Sequence, residues 1–260
     1  MTSRWTPLFD TVAPAYDDVV PFFATFGELL VRHCDLRPGQ RVLDVAAGRG
    51  ALAFPAARAV GTSGEVVAVD AAPRMVDLLR AVAPDNVTAY VMDAERLTQA
   101  DASFDVVLCG FALHLFTHPD RALAGIHRVL RPGGTFAFST VGAPYVPGPW
   151  DFYGELLGEF SALIAEPYPA HQHDELADLC RQAGFTGVAS VVDEVRLELR
   201  DAEAFWAWHQ SHGAASFVEG LPPAAREEFR QRLLAGVEEL RRSQGRIVLD
   251  RSALFYRMTA

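Results

Sequence analysis

Cysteine is scarce in this chain of 260 residues, and its spacing excludes two ways of stapling a fold. Cys34, Cys109 and Cys180 are odd in number and far apart, with no Cys-x-x-Cys pair. A disulfide framework or a zinc knuckle needs closer, paired cysteines, so three reduced thiols in a cytoplasmic protein are expected, and no metal site. Positive charge is in short supply: 23 basic residues face 33 acidic ones, a formal net charge of -10. An acidic surface repels phosphate backbones and anionic lipid, so neither nucleic acid nor membrane is the expected partner. No apolar run approaches the ~18 residues of a membrane span. Met1 to Pro14 has no apolar core of the signal-peptide kind.

Half of the residues are hydrophobic and 22% are charged, the composition of a globular protein. The length suits one large α/β domain, or one domain with a sizeable insertion. The N-terminus reads as irregular up to Pro21. A helix follows, with Phe22, Phe26, Leu29 and Leu30 on one face, until Pro38-Gly39 breaks it. Strands are expected at 41–45, 65–70, 87–92, 104–110 and 135–140, with a tight turn at 131–134. Helices are expected at 51–60, 73–81 and 119–130. Strands and helices alternate, and the strands are apolar throughout. That pattern predicts a doubly wound, mainly parallel sheet of Rossmann-like type with helices on both faces.

Beyond Thr140 the rhythm changes. Gly and Pro crowd 141–150, and helices are expected at 151–164, 175–183, 202–212 and 223–242. Long strands are expected at 188–199 and 247–258. The helices between those last strands predict a mostly helical cap near the C-terminus, over the sheet's ligand edge. Ligands of such sheets bind outside the carboxyl ends of the strands. Asp44, Asp70 and Asp93 all fall at such ends.

Five segments in order carry a resemblance. Val42 to Gly50 reads VLDVAAGRG, and Val66 to Val76 reads VVAVDAAPRMV. Met92 to Leu97 reads MDAERL, Phe104 to Phe116 reads FDVVLCGFALHLF, and Leu130 to Gly134 reads LRPGG. Together they resemble the motifs of class I S-adenosylmethionine-dependent methyltransferases. The resemblance spans roughly Tyr16 to Thr140. It is strongest to the branch of the ubiquinone and menaquinone C-methyltransferases and small-molecule enzymes of secondary metabolism. The chain then divides into an N-terminal helical cover (1–40), a cofactor-binding core (41–142), and the rest of the sheet with substrate-covering insertions (143–260), within one overall domain.

The resemblance implies S-adenosylmethionine as cofactor and S-adenosylhomocysteine as product, and it assigns roles position by position. Gly48 and Gly50 let the ligand approach the backbone, and the helix after them offers N–H groups to its carboxylate. Ala46 stands where the family often has glycine. Asp44 attracts the ligand's ammonium, and Asp70, with Ala71 beside it, accepts from the ribose hydroxyls. Met75 flanks the adenine, Asp93 accepts from its amino group, and Ala94 faces the ring. Cys109 lies in the fourth-strand motif, and Tyr16, in Ala13-Pro14-Ala15-Tyr16-Asp17, closes over the cofactor.

A general base helps methyl transfer to a hydroxyl and helps less at an activated carbon. His114, just after the fourth strand, is the candidate catalytic group, against packing under the cofactor. Trp150, Tyr153 and His209 are candidates to bind a bulky apolar or aromatic acceptor, against a plain packed cap. His171 and His173 flank Gln172 but lack the company a metal site needs. The Asn-Pro-Pro-aromatic motif of base methylation is absent after the fourth strand, where Gly110-Phe111-Ala112-Leu113 stands. The expected activity is methyl transfer to oxygen or carbon of a small molecule. A non-methyl reaction such as a cyclisation is one alternative. A nicotinamide oxidoreductase is a weaker one, since Gly48-x-Gly50-x-x-Ala53 also fits a dinucleotide fingerprint. A homodimer is left open.

Overall fold

A computed structural model describes residues 5–141, 147–164 and 173–260. Seven strands form one sheet in the order β3-β2-β1-β4-β5-β7-β6. The first five are β1 (Arg41–Val45), β2 (Glu65–Asp70), β3 (Val87–Val91), β4 (Phe104–Gly110) and β5 (Leu130–Thr140), all parallel. β6 (Thr186–Leu199) and β7 (Ile247–Thr259) complete it antiparallel. The strand order reverses at β1, so β1 and β4 diverge there and open a crevice at their carboxyl ends.

The predicted sheet and its helices are present. α2 (Phe22–His33) and α3 (Ala53–Val60) pack on one face, where Phe26, Leu30, Ala53 and Val60 are buried against Val42 and Val66. α5 (Pro119–Val129) and α7 (His173–Gln182) cover the other, burying Leu123, Ile126 and Leu176 against Leu43, Val107 and Phe136. α4 (Pro73–Arg80) follows β2 and starts at its proline, whose missing N–H costs nothing there. α3 begins at Ala53 rather than 51, which leaves Pro55 inside its first turn.

Four expectations need correction. The N-terminus is not irregular: α1 spans Thr6–Val12, because Trp5, Leu8 and Val12 recur on one side and are buried. The turn at 131–134 belongs to β5, where Leu130 pairs with Phe104 and an irregularity precedes Thr135. α6 (Asp151–Ser161) stops short of Ile164. α8 ends at Gln210, and α9 (Ala215–Gly220) fills a stretch read as connection.

β6 and β7 outrun the rest of the sheet. Pairing of β5 with β7 ends at Thr140 and Leu254, while β6 and β7 stay paired to Leu199 and Ile247. This two-stranded arm rises past the carboxyl edge. The cap helices α8 (Ala202–Gln210), α9 and α10 (Pro223–Gln244) connect its strands. Phe205, Phe229, Leu233 and Val237 join α6 to the arm in one buried cluster. No helix among the described residues is long and apolar enough to cross a membrane.

Candidate active site

The chain turns sharply where β1 ends. Ala46, Gly48 and Gly50 have φ of 57°, 54° and 94°, so the backbone repeatedly enters the left-handed region. Ala46 is the unusual one, since its Cβ makes that region unfavourable. Two adjoining clefts open above this turn, of about 760 and 360 Å³. Tyr16, Ala46, Gly48, Gly110 and Phe111 border both.

Asp70 ends β2 and organises the turn. Its carboxylate accepts from the Gly48 N–H and the Ala72 N–H, each at 2.8 Å. Burial pushes its pKa up, and these backbone bonds resist the shift. A carboxylate offers about four lone-pair sites, so two remain for hydroxyl donors in the larger cleft. Ala71 and Met75 continue that wall, and Asp93 and Ala94, after β3, form the next. Asp93 also accepts from the Glu95 N–H at 3.0 Å, which fixes the short turn that presents Ala94.

Asp44 borders the smaller cleft. It is fully buried, and neither carboxylate oxygen has a hydrogen-bond partner among the described residues. Burial, and then the charge of Asp70, push its pKa up to about 8 against the opposing influence of the nearby Ala53 N–H. A bare buried acid is costly unless a cation or donor meets it. Beside it a ligand's ammonium or sulfonium finds its counter-ion.

The N-terminal segment roofs the site. Tyr16 stacks on Phe23 with ring centroids 4.6 Å apart. Its phenol pKa is raised well above the usual value by burial, then by Asp17 and Asp70. Asp17, at φ 62°, accepts from the Phe23 and Ala24 N–H groups at 2.8 Å and so caps α2. Arg49, inside the glycine turn, donates to the Tyr16 carbonyl at 2.7 Å and to the Asp18 carboxylate at 2.8 Å. Trp5 and Phe9 from α1 close the far side.

Of the residues expected at the site, Tyr16, Asp44, Ala46, Gly48, Asp70, Ala71, Met75, Asp93 and Ala94 border the clefts. Gly50 does not. Its φ and the 2.8 Å from an added Cβ to the Phe54 ring give it a turn and packing role. Cys109 is sealed in the opposite core with Leu43 and Phe138, its thiol pKa raised by burial. His114 sits on the short turn Leu113–Leu115 after β4, whose Leu115 borders the larger cleft while His114 itself does not. Trp150, Tyr153 and His209 border neither cleft; under the cap Tyr153 meets His209, and Trp150 and Tyr153 both pack on Phe205. His171 lies outside the described residues. Among those, no group of three His, Cys, Asp or Glu could hold a metal.

Residues not anticipated also line the clefts: Trp5, Phe9, Phe111, Leu115 and Phe116 in the larger, and the apolar Phe23 and Leu52 with the polar Ser139 in the smaller. Only Phe111 had a visible signal, its place directly after the β4 glycine. There it takes φ 48°, with its N–H donating to the Ser139 carbonyl at 3.0 Å. A bulky residue held in that conformation is a strain often found at functional sites.

These features suit one ligand shape: a cation beside Asp44, a diol at Asp70, and a flat ring between Met75 and Ala94. Comparison with known proteins agrees. A family model described as a methyltransferase domain matches residues 42–134. The ubiquinone/menaquinone biosynthesis C-methyltransferase UbiE of Hydrogenovibrio crunogenus is 36% identical over 181 residues, 64% of this chain and 71% of that protein. The nocamycin O-methyltransferase of Saccharothrix syringae is 31% identical over 239 residues, 84% of this chain and 85% of that protein. In fold, the YcgJ protein of Bacillus subtilis superposes with a TM-score of 0.61 at 21% identity, covering 89% of this chain and 96% of that one. Matched above 30% identity over more than two thirds of both relatives, the chain belongs to the class I S-adenosylmethionine-dependent methyltransferases, with S-adenosylmethionine as its cofactor.

Proposed function

We propose that the two clefts form one active site, in which the cofactor's adenosine occupies the larger and its amino-acid end reaches toward Asp44 in the smaller. The observation that carries this reading is Asp44 itself, a fully buried carboxylate with no partner among the described residues beneath a left-handed turn. Asp70 accepts from the ribose hydroxyls, Met75 and Ala94 hold the adenine, and Asp93 lies in reach of its amino group. Tyr16 covers the ligand from above.

The cofactor supplies an electrophilic methyl group on a good leaving group. The protein's tasks are alignment and exclusion of water. Phe111, Phe116, Phe9 and Trp5 make that part of the cleft apolar and rigid. Gly110 and Phe111, which border both clefts, would hold an acceptor oxygen or carbon in line with the methyl group that the cofactor would supply. The acceptor's proton leaves to solvent or to His114, which enters only by a movement of its turn toward the cleft. An acceptor that arrives ionised needs no such base.

The acceptor in this reading is a small, partly apolar molecule, as the cleft's aromatic lining supports. The location in this reading is cytoplasmic, supported by three buried, unpaired cysteines. Calorimetric titration with S-adenosylmethionine, S-adenosylhomocysteine and NADH tests the cofactor assignment. Binding of the two adenosyl ligands and not of NADH is expected. Binding of NADH alone overturns it.

A further inference from the structure

Under the cap lie three buried donors with no acceptor among the described residues: Trp208 Nε1, His209 Nε2 and His212 Nε2. The histidine tautomers follow from their other nitrogens. His209 Nδ1 accepts from the Gln210 amide at 3.2 Å, and His212 Nδ1 accepts from the Ala214 N–H at 3.2 Å. The neutral His212 ring therefore carries its proton on Nε2, and the His209 ring does so in the tautomer that accepts from Gln210. Burial keeps both neutral, with pKa values pushed down to about 4 and about 3. Buried polar groups in folded proteins are nearly always satisfied, so three donors in one locality require an explanation.

Arg251 shares that locality, since its charge bears on His212 and on Tyr153. It stands on β7 in line with Ile247, Leu249, Ala253 and Phe255, the side of the strand that packs into the cap's apolar cluster. Its guanidinium lies 5.2 Å from the Trp150 ring centre and 5.9 Å from that of Tyr153. Among the described residues it enters no ion pair; it donates to the Asp250 carbonyl, while the Asp250 carboxylate pairs with Arg196. A guanidinium in the middle of an apolar strand face breaks the local pattern, and such breaks concentrate at functional sites.

The cluster connects to the active site. The His212 ring lies 5.7 Å from that of Phe23, which borders the smaller cleft. Phe255 pairs with Ser139, the β5 residue that borders the same cleft. Arg251 is four residues from Phe255 along β7, about 13 Å at the usual strand rise.

We propose that Arg251, His209, His212 and Trp208 form an anchoring subsite for the acceptor, taking an ionised oxygen (carboxylate, phenolate or enolate) at its far end. The acceptor is then elongated, with its nucleophilic atom beside Gly110 and Phe111 and its anionic end under the cap. All four groups carry donors and one is positive, so an anion is the chemistry that would satisfy them. Trp150 and Tyr153 flank the guanidinium and fix its place under the cap. This inference rests on the methyl-transfer reading above.

The test uses the whole protein saturated with S-adenosylhomocysteine and two rigid probes. One is 4'-hydroxybiphenyl-4-carboxylate, and the other is 4-phenylphenol, which lacks the carboxylate. Calorimetry should show the acid binding at least about tenfold tighter, as a charge-assisted contact in a desolvated site implies. Arg251→Gln and Arg251→Met should abolish that preference and leave S-adenosylhomocysteine affinity unchanged, while Arg251→Lys keeps part of it. The neutral variants also lose the guanidinium's contacts with Trp150 and Tyr153, so a lower melting temperature by itself decides nothing and the probe preference is the readout. A merely structural arginine gives no change in probe preference, whatever its melting temperature. Equal binding of the two probes, no binding of the acid, or a preference that survives in Arg251→Met overturns the proposal. Failure to bind S-adenosylhomocysteine overturns the cofactor reading instead.

Discussion

Arg49 Nη1 donates to the Tyr16 carbonyl at 2.7 Å, so the glycine turn that cradles the ligand also holds the segment that covers it. The same guanidinium reaches the Asp18 carboxylate at 2.8 Å, so floor and roof of the site share one side chain.

Arg49→Ala should therefore loosen the roof without disturbing the sheet. Cofactor affinity should fall about five- to twentyfold, the worth of about 1–2 kcal/mol of partly exposed charge-assisted bonding. Limited proteolysis should cut before Pro21 faster in the variant. Unchanged affinity and unchanged cleavage would separate Tyr16 from the ligand.

Asp70→Ala removes the acceptor of the ribose hydroxyls and the bonds from the Gly48 and Ala72 N–H groups. Binding of S-adenosylhomocysteine should weaken by roughly 2–4 kcal/mol in calorimetry. A wild-type dissociation constant in a folded variant would move the site away from the end of β2.

Asp44 and the cap histidines set opposite limits on pH stability. Asp44 has a folded pKa near 8, far above its unfolded value, so its contribution is present in acid and is lost as pH rises through about 8. His209 and His212, pushed down to about 4 and about 3, contribute above the unfolded value near ~6.5 and lose that as pH falls. Above ~6.5 the histidines no longer oppose the buried acids, so the ligand-free protein should lose stability there, by up to about 1.4 kcal/mol per pH unit from Asp44. Denaturant midpoints from pH 5 to 8.5 measure this. Saturating S-adenosylmethionine should flatten the alkaline fall and release about one proton per site at pH 7, read as a buffer-dependent binding enthalpy. Asp44→Asn should abolish both effects.

Ala46 occupies a left-handed position at φ 57°. Ala46→Gly should relieve that strain and stabilise the fold by about 0.5–1 kcal/mol, the entropy of the added glycine offsetting part of the gain. Thermal melts check it, and a lower melting temperature would mean that the Cβ packs usefully in the cleft.

Much of the site is legible in the amino-acid sequence, for a reason in the parallel sheet. Parallel strands end at one edge, so Asp44 near the end of β1, Asp70 at the end of β2 and Asp93 just after β3 gather there wherever the strands are correctly placed. The five early strands announce themselves by short apolar runs between turn signals. The N-terminal helix does not, because Trp5, Leu8 and Val12 give only two helical turns. Trp5 and Phe9 border the larger cleft through docking of that segment, a long-range event with no local signature.

The sequence by itself determined the winding of the sheet, the acidic strand ends and the left-handed turn between them, because these follow from local pattern and backbone sterics. Only the tertiary structure decided what faces the ligand. It set Arg49 against Tyr16, buried Cys109 beneath the site, and kept His114 off the cleft wall. It also carried Arg251 past the end of β5 into an apolar cap. Side chains far apart in sequence meet only when helices and the β6–β7 arm pack, and packing is settled by the whole core at once.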